Sequence, residues 1–449
     1  MGQTRDGTRP GRTRALSLRA SKKGARMASE TQPESSATPH AGPAPGKRRK
    51  GAFESLRNRD FRLLTLSTIS LGFGQWGQQI ALGWLVFVLT ESAIQLANVA
   101  FIGGVLSLLL TPVGGIVADR YPRRTVIVLA TLADTAQAAG LAVLVFSGHV
   151  QVWHVYAFSL LTALTTAMSQ PARQAFVADL MTPATLPNAI AMNSIAQNIS
   201  RILGPSLAGI LTAASLASPF IFVAAMRGLA CVNTLMMSRP AVPAVYRQPR
   251  NPLSDIAAGF KYVMGEPQTR VLLAVNTLPA LLIYPYISFM PLFARVELGH
   301  GSGTYGLLVS AIGIGSIFGL LGLAVIGDRL RHGGPLTLGG LIAYALLVMA
   351  FTQTRELWQS MAVLIAAGVI HGFCLALGNT LFLTALRQDM QGRGMAAWQM
   401  GFGITPFGVL AMGFMINRAG VRSAELGFFV VCLGMFLLIF VFNRAIRRA

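Results

Sequence analysis

Ionisable side chains lie deep within apolar stretches of this chain, where their charge needs an explanation. Asp134 lies about nine residues into one such stretch, roughly 14 Å along a helix that rises 1.5 Å per residue. Arg201 and Arg227 lie at similar depth in two later stretches. An unpaired carboxylate there would take up a proton, because burial disfavours its charged form, whereas a nearby arginine would keep it charged. The three residues are therefore candidates for coupling proton movement to that of another solute, and the alternative is an ion pair that only holds helices together.

The composition excludes a soluble enzyme. Of the 449 residues 53% are hydrophobic and only 12% are charged, and mean hydropathy is +0.56. A soluble globular chain carries about 25% charged residues, so this chain has too few polar side chains to cover a water-facing surface. Its net charge of +21 would suggest nucleic acid in a soluble protein, but in a membrane protein it indicates basic cytoplasmic loops. We therefore expect contact with membrane lipid and no nucleic-acid partner.

The apolar stretches have the length of membrane spans. A helix needs about 20 apolar residues to cross a hydrocarbon core of about 30 Å, and lipid leaves no partner for an unpaired backbone group. The sequence therefore predicts an all-α membrane protein with twelve transmembrane helices. The predicted spans are 64–90, 96–118, 125–147, 152–175, 188–214, 218–238, 271–294, 304–326, 336–353, 357–384, 396–417 and 422–443.

The basic residues predict the orientation of these spans. With the N-terminus inside, 31 of the 37 Lys and Arg residues fall in the tails and in the loops on the inner side. Two more, Arg201 and Arg227, lie within spans. The outer loops hold only Arg295, Arg355, Arg418 and Arg422. Because cytoplasmic loops carry the excess of Lys and Arg, both termini are expected in the cytoplasm of a multi-pass cell-membrane protein.

The chain divides into two sets of six spans on either side of one long connection. The connection contains a short amphipathic helix, since Ile256, Phe260 and Val263 recur at helical spacing. Such symmetry is typical of transporters built from repeats. The N-terminal segment is basic and poor in apolar residues, so we expect it to be disordered, and Met27 is a plausible alternative start. The predicted parts are a tail at 1–58, spans at 59–238, a linker at 239–270, spans at 271–443 and a tail at 444–449.

A short polar motif connects the second and third spans. It begins at Gly115, continues through Asp119 and Arg120, and ends at Arg123 and Arg124. The motif resembles the G-x-x-x-D-R-x-G-R-R loop of the major facilitator superfamily, with proline in place of the second glycine, as in its drug and siderophore exporters. A shorter version with Asp328 and Arg329 follows the eighth span, as expected of a duplicated unit. The resemblance implies that Asp119 closes the cytoplasmic side by meeting the start of span eleven, near residues 394–397.

The fifth span carries a second motif, Arg201, Gly204, Pro205 and Gly209. It resembles the G-x-x-x-G-P-x-x-G-G signature of proton-coupled exporters, and further stretches resemble the enterobactin-exporter and macrolide-efflux branch over about residues 54–443. The resemblance implies two six-helix bundles with inverted repeats, and a monomer in the bacterial inner membrane that exports a drug-like compound or siderophore against protons. Uptake of a small solute, or a transport-inactive sensor or scaffold, is the alternative. The resemblance to the family also implies that the third and sixth helices of each half lie at the periphery, away from the cavity.

The same resemblance implies that spans one, four, seven and ten line a substrate cavity. Amide and aromatic groups in an apolar cavity suit a bulky amphiphile. Glycines at 368 and 372 on the face of His371 predict a close approach by another helix there. No phosphate-binding glycine loop, nucleophile–base set or metal-ligand spacing is present, so no cofactor, metal or catalytic residue is expected. The cavity candidates are Gln75, Gln78, Gln79, Trp84, Asn276, Tyr284, Tyr286, His371 and Asn379.

Overall fold

A computed structural model of the full chain describes residues 54–182, 185–238, 252–326, 333–387 and 390–443. These all belong to one unit, residues 51–449. Residues 1–53 of the predicted disordered tail and residues 239–251 of the predicted linker lie outside the described residues. So do Asp328 and Arg329 of the second polar motif.

Within the described ranges the chain is helical almost throughout and contains no strand. A 3₁₀ turn, Glu54–Arg57, precedes the first helix, which Asn58 caps by accepting from the backbone N–H groups of Asp60 and Phe61. We call α1–α6 the first half and α8–α15 the second half. The helices of the first half are α1 Arg59–Thr90, α2 Ala93–Arg120, α3 Arg123–Phe146, α4 Val152–Leu180, α5 Leu186–Ala214 and α6 Ser218–Leu235. The remaining helices are α7 Pro252–Gly265, α8 Pro267–Leu282, α9 Tyr286–Leu292, α10 Ser302–Ile326, α11 Gly333–Thr352, α12 Leu357–Ala385, α13 Gln391–Phe402, α14 Thr405–Ala419 and α15 Val421–Phe442.

Nine helical segments in the described part of the chain are long and apolar enough to cross a membrane, counting α8–α9 and α13–α14 as one segment each. The predicted apolar runs all fall on helices. The runs outside the nine are those of α1, α4 and α5, which carry many amide, hydroxyl and arginine side chains. The chain is therefore a multi-pass membrane protein in which three long helices are unusually polar.

Two predicted spans are not continuous helices, and on this point the prediction is wrong. Span seven is interrupted between α8 and α9, because Pro279 has no backbone N–H and Pro285 precedes the second piece; α9 then ends in a π-helical turn, Phe293–Glu297. Span eleven is interrupted at Gly403 and Ile404, with Pro406 in the first turn of α14. An apolar run in the sequence indicates which residues avoid water. A break in the helix depends instead on the positions of the prolines.

The two halves touch through small residues at one end of the helices. A Cβ atom added to Gly209 of α5 would lie 2.3 Å from the Cα of Gly306 in α10, so the two backbones cross in direct contact. At the same end of the molecule, α2 packs on α14, where a Cβ on Gly413 would lie 2.5 Å from that of Ala97. The absence of side chains at these glycines permits this approach.

The segment in which the amphipathic helix was predicted forms the helix α7. Val263 is fully buried, whereas Phe260 is exposed. A Cβ on Gly259 would lie 2.4 Å from the carbonyl oxygen of Arg393, so α7 packs closely on the beginning of α13. The hydroxyl of Tyr262 also accepts from the backbone N–H of Arg387, at the end of α12. This helix is thus attached to the second half.

Candidate functional site

A polar cavity with a volume of about 480 Å³ is lined by residues of both halves. Its walls come from α1, α3, α4, α5 and α6 of the first half and from Asn379 and Gln399 of the second. It follows the beginning of α1, away from the end where α5 crosses α10. We call it the polar cavity. Its polar and charged lining residues are Thr68, Gln75, Asp134, Thr166, Ser169, Gln170, Arg173, Gln174, Asn193, Ser194, Gln197, Arg201, Arg227, Asn379 and Gln399.

A second cavity of about 400 Å³ continues along the other part of α1. It is more apolar, with side chains from α1, α2 and α4 and with Ser288 and Tyr305 from the second half. The two cavities share Gln75, Thr166 and Arg227. Arg227 therefore stands at the boundary between them.

Asp134 pairs with Arg227, one of its two predicted partners. Nη1 of Arg227 donates to the Asp134 carboxylate at 2.8 Å and to its backbone carbonyl at 3.3 Å. Gln137 and Thr165 donate to the same carboxylate oxygen at 2.6 and 3.0 Å. The side chains of Arg227 and Asp134 are 3% and 14% exposed. A Cβ on Gly74 would lie 3.1 Å from Cγ of Arg227, so α1 leaves room for the arginine.

The expectation that the third and sixth helices face away from the cavity is wrong for this pair. Asp134 lies on α3 and Arg227 on α6, yet both line the polar cavity. In the described part of the chain Asp134 is the one acidic side chain in that lining. The pair is therefore accessible from the compartment in which a solute would bind.

Arg173 is a cavity residue that sequence reasoning missed. Arg173 lies within the predicted fourth span, 152–175, but was counted with the arginines of the inner loops; the helix α4 continues beyond it to Leu180. The residue is 7% exposed and lines the polar cavity. Its Nη2 donates to Ser67 and Thr131 at 3.1 and 3.2 Å, and Nε and Nη1 have no partner among the described residues.

The motif of α5 places an arginine in the polar cavity. Arg201 is exposed there, and its guanidinium carbon lies 5.2 Å from the ring centroid of Trp76. One turn later, a Cβ on Gly204 would lie 2.9 Å from Cβ of Trp76, which shows why the motif keeps that position small. Pro205 lies inside the helix, and Gly209 forms the crossing with α10. The motif thus combines a cation in the cavity with a close contact between the halves.

The motif between α2 and α3 has separate anchoring and exposed parts. Arg123 pairs with Asp179 at the end of α4. Arg124 donates to the carbonyl of Leu235, the last residue of α6, and to that of Met237 just after it, at 2.9 Å each. Asp119 is exposed and makes no hydrogen bond or ion pair with another described residue. The predicted contact of Asp119 with the start of α13 is therefore not made in this conformation.

The remaining candidates divide into three groups. Gln75, Gln78, Gln79 and Asn379 line the two large cavities, and Gln78 donates to Thr162 at 3.2 Å. Asn276 and Tyr284 line a pocket of only about 20 Å³. None of the described cavities is lined by the last group, Trp84, Tyr286 and His371.

Polar groups are also buried within the second half. Nε2 of His371 lies 3.2 Å from the hydroxyl of Tyr284, and Tyr344 stacks on the imidazole with a centroid distance of 5.3 Å. The predicted close approach is confirmed: a Cβ on Gly368 would lie 2.3 Å from the Ile312 carbonyl oxygen of α10. This packing holds His371 within the second half.

Glu425 is a buried acid that the sequence analysis did not single out. It lies in the second turn of α15 and is fully buried. Neither carboxylate oxygen has a hydrogen-bond partner in the described structure. Because Arg422, three residues earlier, pairs with Glu297, the nearby cation is already engaged.

The sequence of this chain matches a known protein family. Residues 50–447 match the family model described as transmembrane secretion effector. The chain belongs to this family of major facilitator superfamily transporters. It is a membrane transporter and not an enzyme.

Curated relatives cover most of the chain at low identity. The staphyloferrin A transporter of Staphylococcus aureus is 23% identical over 85% of this chain and 96% of its own length. The multidrug efflux pump Tap of Mycolicibacterium fortuitum is 24% identical over 84% and 93%. The enterobactin exporter EntS of Salmonella typhi is 24% identical over 83% and 89%. The resemblance expected from the motifs is thereby confirmed.

Solved transporters show the same fold. A POT family transporter in complex with 5-aminolevulinic acid superposes with a TM-score of 0.67 at 11% identity, covering 88% of this chain and 98% of that one. An inward-facing bacterial homologue of the human lysosomal transporter Spinster gives a TM-score of 0.65 at 15% identity, covering 87% and 96%. These similarities concern the fold alone.

Proposed function

We propose that this transporter exports a bulky organic molecule in exchange for protons, by alternating access between two six-helix bundles. The observation that carries the proposal is the pair of cavities between the halves, enclosed at one end by the contacts of α5 with α10 and of α2 with α14. A site between two halves that touch at one end can be exposed to the other side by rocking.

Twelve spans are the count that this arrangement supports. The helices that fall short of the apolar criterion, α1, α4 and α5, are those that supply most of the polar cavity wall. Their polar side chains face a cavity and not lipid, which is where ionisable groups in membrane helices are tolerated. Both termini then lie on the inner side of the bacterial inner membrane, and a monomer is sufficient because one chain encloses the cavity.

Export is the direction supported by the relatives. Two of the named proteins, the efflux pump Tap and the enterobactin exporter, move organic compounds outward. A combined volume of several hundred Å³ suits a molecule of that size better than an inorganic ion. The amide groups of Gln75, Gln78 and Gln79 offer orienting hydrogen bonds along an otherwise apolar wall.

Proton coupling requires a group whose protonation differs between the two states, and Asp134 is our first candidate. Protonation would remove the countercharge of Arg227, which stands at the boundary between the cavities. An Arg227 side chain released from Asp134 would change the connection between the two cavities. Arg201 is less suited as the partner, because the carboxylate is already bound by Arg227.

The test is a transport measurement in inside-out membrane vesicles with an imposed pH gradient, acidic inside. A pH-sensitive dye reports proton release when compounds from a panel of dyes, antibiotics and siderophores are added outside. Export predicts compound-dependent proton efflux and accumulation of the compound inside, both absent from vesicles without the protein. Accumulation only in right-side-out cells would show uptake, and no movement in either preparation would show a transport-inactive protein.

A further inference from the structure

The charges that face the polar cavity are strongly unequal. Three guanidinium groups, those of Arg173, Arg201 and Arg227, line it with a single carboxylate in the described structure, that of Asp134. Asp134 is engaged with Arg227 and with two uncharged donors. The cavity therefore carries two positive charges that no acidic side chain in its described lining compensates.

Arg173 is the first of these two charges, and its surroundings leave it incompletely satisfied. It is 7% exposed, and its partners are three hydroxyl groups, those of Ser67, Thr131 and Thr234, all contacted by Nη2. Its Nε and Nη1 have no partner in the described structure. The nearby Asp134 carboxylate acts on Arg173 through space, but it is hydrogen-bonded to Arg227 and not to Arg173. A buried cation without a carboxylate bound to it is costly, so a negatively charged ligand in the cavity would stabilise Arg173.

Arg201 is the second charge, and it is presented to the cavity in a defined orientation. Its guanidinium lies over the ring of Trp76, an arrangement that stabilises a cation and restricts its movement. The five N–H donors of an arginine form a planar fork that can bind an acidic group through two hydrogen bonds. No described acid pairs with Arg201.

The remaining lining suits the organic part of such a ligand. Amide groups of Gln170, Gln174 and Gln197 offer hydrogen bonds, and Leu64, Leu71 and Val177 add apolar surface. We propose that Arg173 and Arg201 form an anion-binding site and that the transported compound is an organic anion carrying carboxylate or other acidic groups. This inference rests on the transport function proposed above, and it names the class of substrate.

Binding of two dyes with the same ring system tests the charge preference. The full-length protein, purified in detergent, is titrated with anionic fluorescein and with cationic rhodamine 123, and binding is followed by fluorescence anisotropy. We expect fluorescein to bind at least about tenfold more tightly. In Arg201→Gln fluorescein should bind about tenfold or more weakly, because a charge-assisted hydrogen bond is lost, and rhodamine should not lose affinity.

Variants separate charge from structure. Arg201→Lys retains the charge but not the planar donor group, so its loss of fluorescein affinity should be smaller than that of Arg201→Gln. Arg355→Gln removes an exposed arginine outside the described cavity lining and should leave fluorescein binding unchanged. Arg173→Gln should also weaken the binding of fluorescein. Because this variant loses buried hydrogen bonds as well, its melting temperature is measured in parallel. The conclusion therefore rests on the Arg201 variants.

Tighter binding of rhodamine, absence of saturable fluorescein binding, or equal effects of Arg201→Gln and Arg355→Gln would overturn the inference. Export of organic cations in vesicles together with such a result would leave the proposed function standing. Arginine-dependent fluorescein binding by a protein that moves nothing outward would instead support the anion site and contradict export.

Discussion

Replacement of Asp134 by Asn separates a proton-coupling group from a structural ion pair. The substitution preserves the shape of the side chain and one oxygen acceptor for Arg227, but it removes both the charge and the titration. Arg227 is 3% exposed in its side chain and would retain its positive charge without a countercharge. Leaving one partner of a buried pair unpaired costs about 3–5 kcal/mol, a large part of the stability of an ordinary protein.

The two roles predict different combinations of stability and transport. If the pair is structural, Asp134→Asn should lower the melting temperature of the purified protein and its expression. The double variant Asp134→Asn/Arg227→Gln should restore both while pH-driven export continues. If Asp134 carries the coupled proton, both variants should lose uphill export, and Asp134→Asn should retain downhill exchange and substrate binding.

A control at the same carboxylate separates loss of charge from loss of a hydrogen bond. Thr165→Val removes the 3.0 Å hydrogen bond to Asp134 and leaves the ion pair in place, so we expect a loss of about 1 kcal/mol and normal coupling. pH-driven export at wild-type rates in a well-folded double variant would refute the coupling role. The proton carrier would then have to be another group, and Glu425 is a buried carboxyl that qualifies.

Three further predictions concern gating, topology and the contact between the halves. Asp119→Asn should reduce transport severalfold without loss of expression. A carboxylate at a helix N-terminus contributes about 0.3–2 kcal/mol to the state in which the cytoplasmic side is closed. Transport by this variant at the wild-type rate would contradict the gating role. Reporter fusions should place the segment after Gly148 outside and that after Gln248 inside, and the reverse result would exclude the proposed orientation. Gly209→Val should lower the melting temperature and the transport rate, because a Cβ at this position lies 2.3 Å from the backbone of α10. Gly322→Ala on α10 is the control: it has open space around it and should behave as wild type. Equal behaviour of the two variants would contradict the close crossing.

Composition and motifs were sufficient to predict the family and the helical membrane fold, because lipid imposes helices on apolar stretches of this length. The pairing of Asp134 with Arg227 was also within reach, since both were placed at similar depth. Details that depend on three-dimensional packing could not be predicted from the sequence. Arg173 and Asp134 both line the polar cavity, and neither the bounds of an apolar run nor the depth of a residue within it indicates which way its side chain faces.

The breaks in the helices were unpredictable for a related reason. Hydropathy does not distinguish a proline that a helix accommodates, such as Pro205, from one beside which it ends, such as Pro285. Glu425 was overlooked because it stands near a helix end, where a carboxylate is ordinarily hydrated. Its complete burial follows from packing of α15 on α11, which no local pattern reveals.

The unequal charge of the polar cavity has an electrical consequence. A cell interior is negative, and moving one elementary charge across the membrane is worth about 2.3 kcal/mol per 100 mV. An organic anion that leaves the cytoplasm is therefore driven outward by the membrane potential, and every proton that enters in exchange moves charge in the same electrical sense. A transporter with Arg173 and Arg201 in its cavity would thus be powered by voltage even with equal pH on both sides. In vesicles whose potential is set by a potassium gradient and valinomycin, its rate should follow the potential.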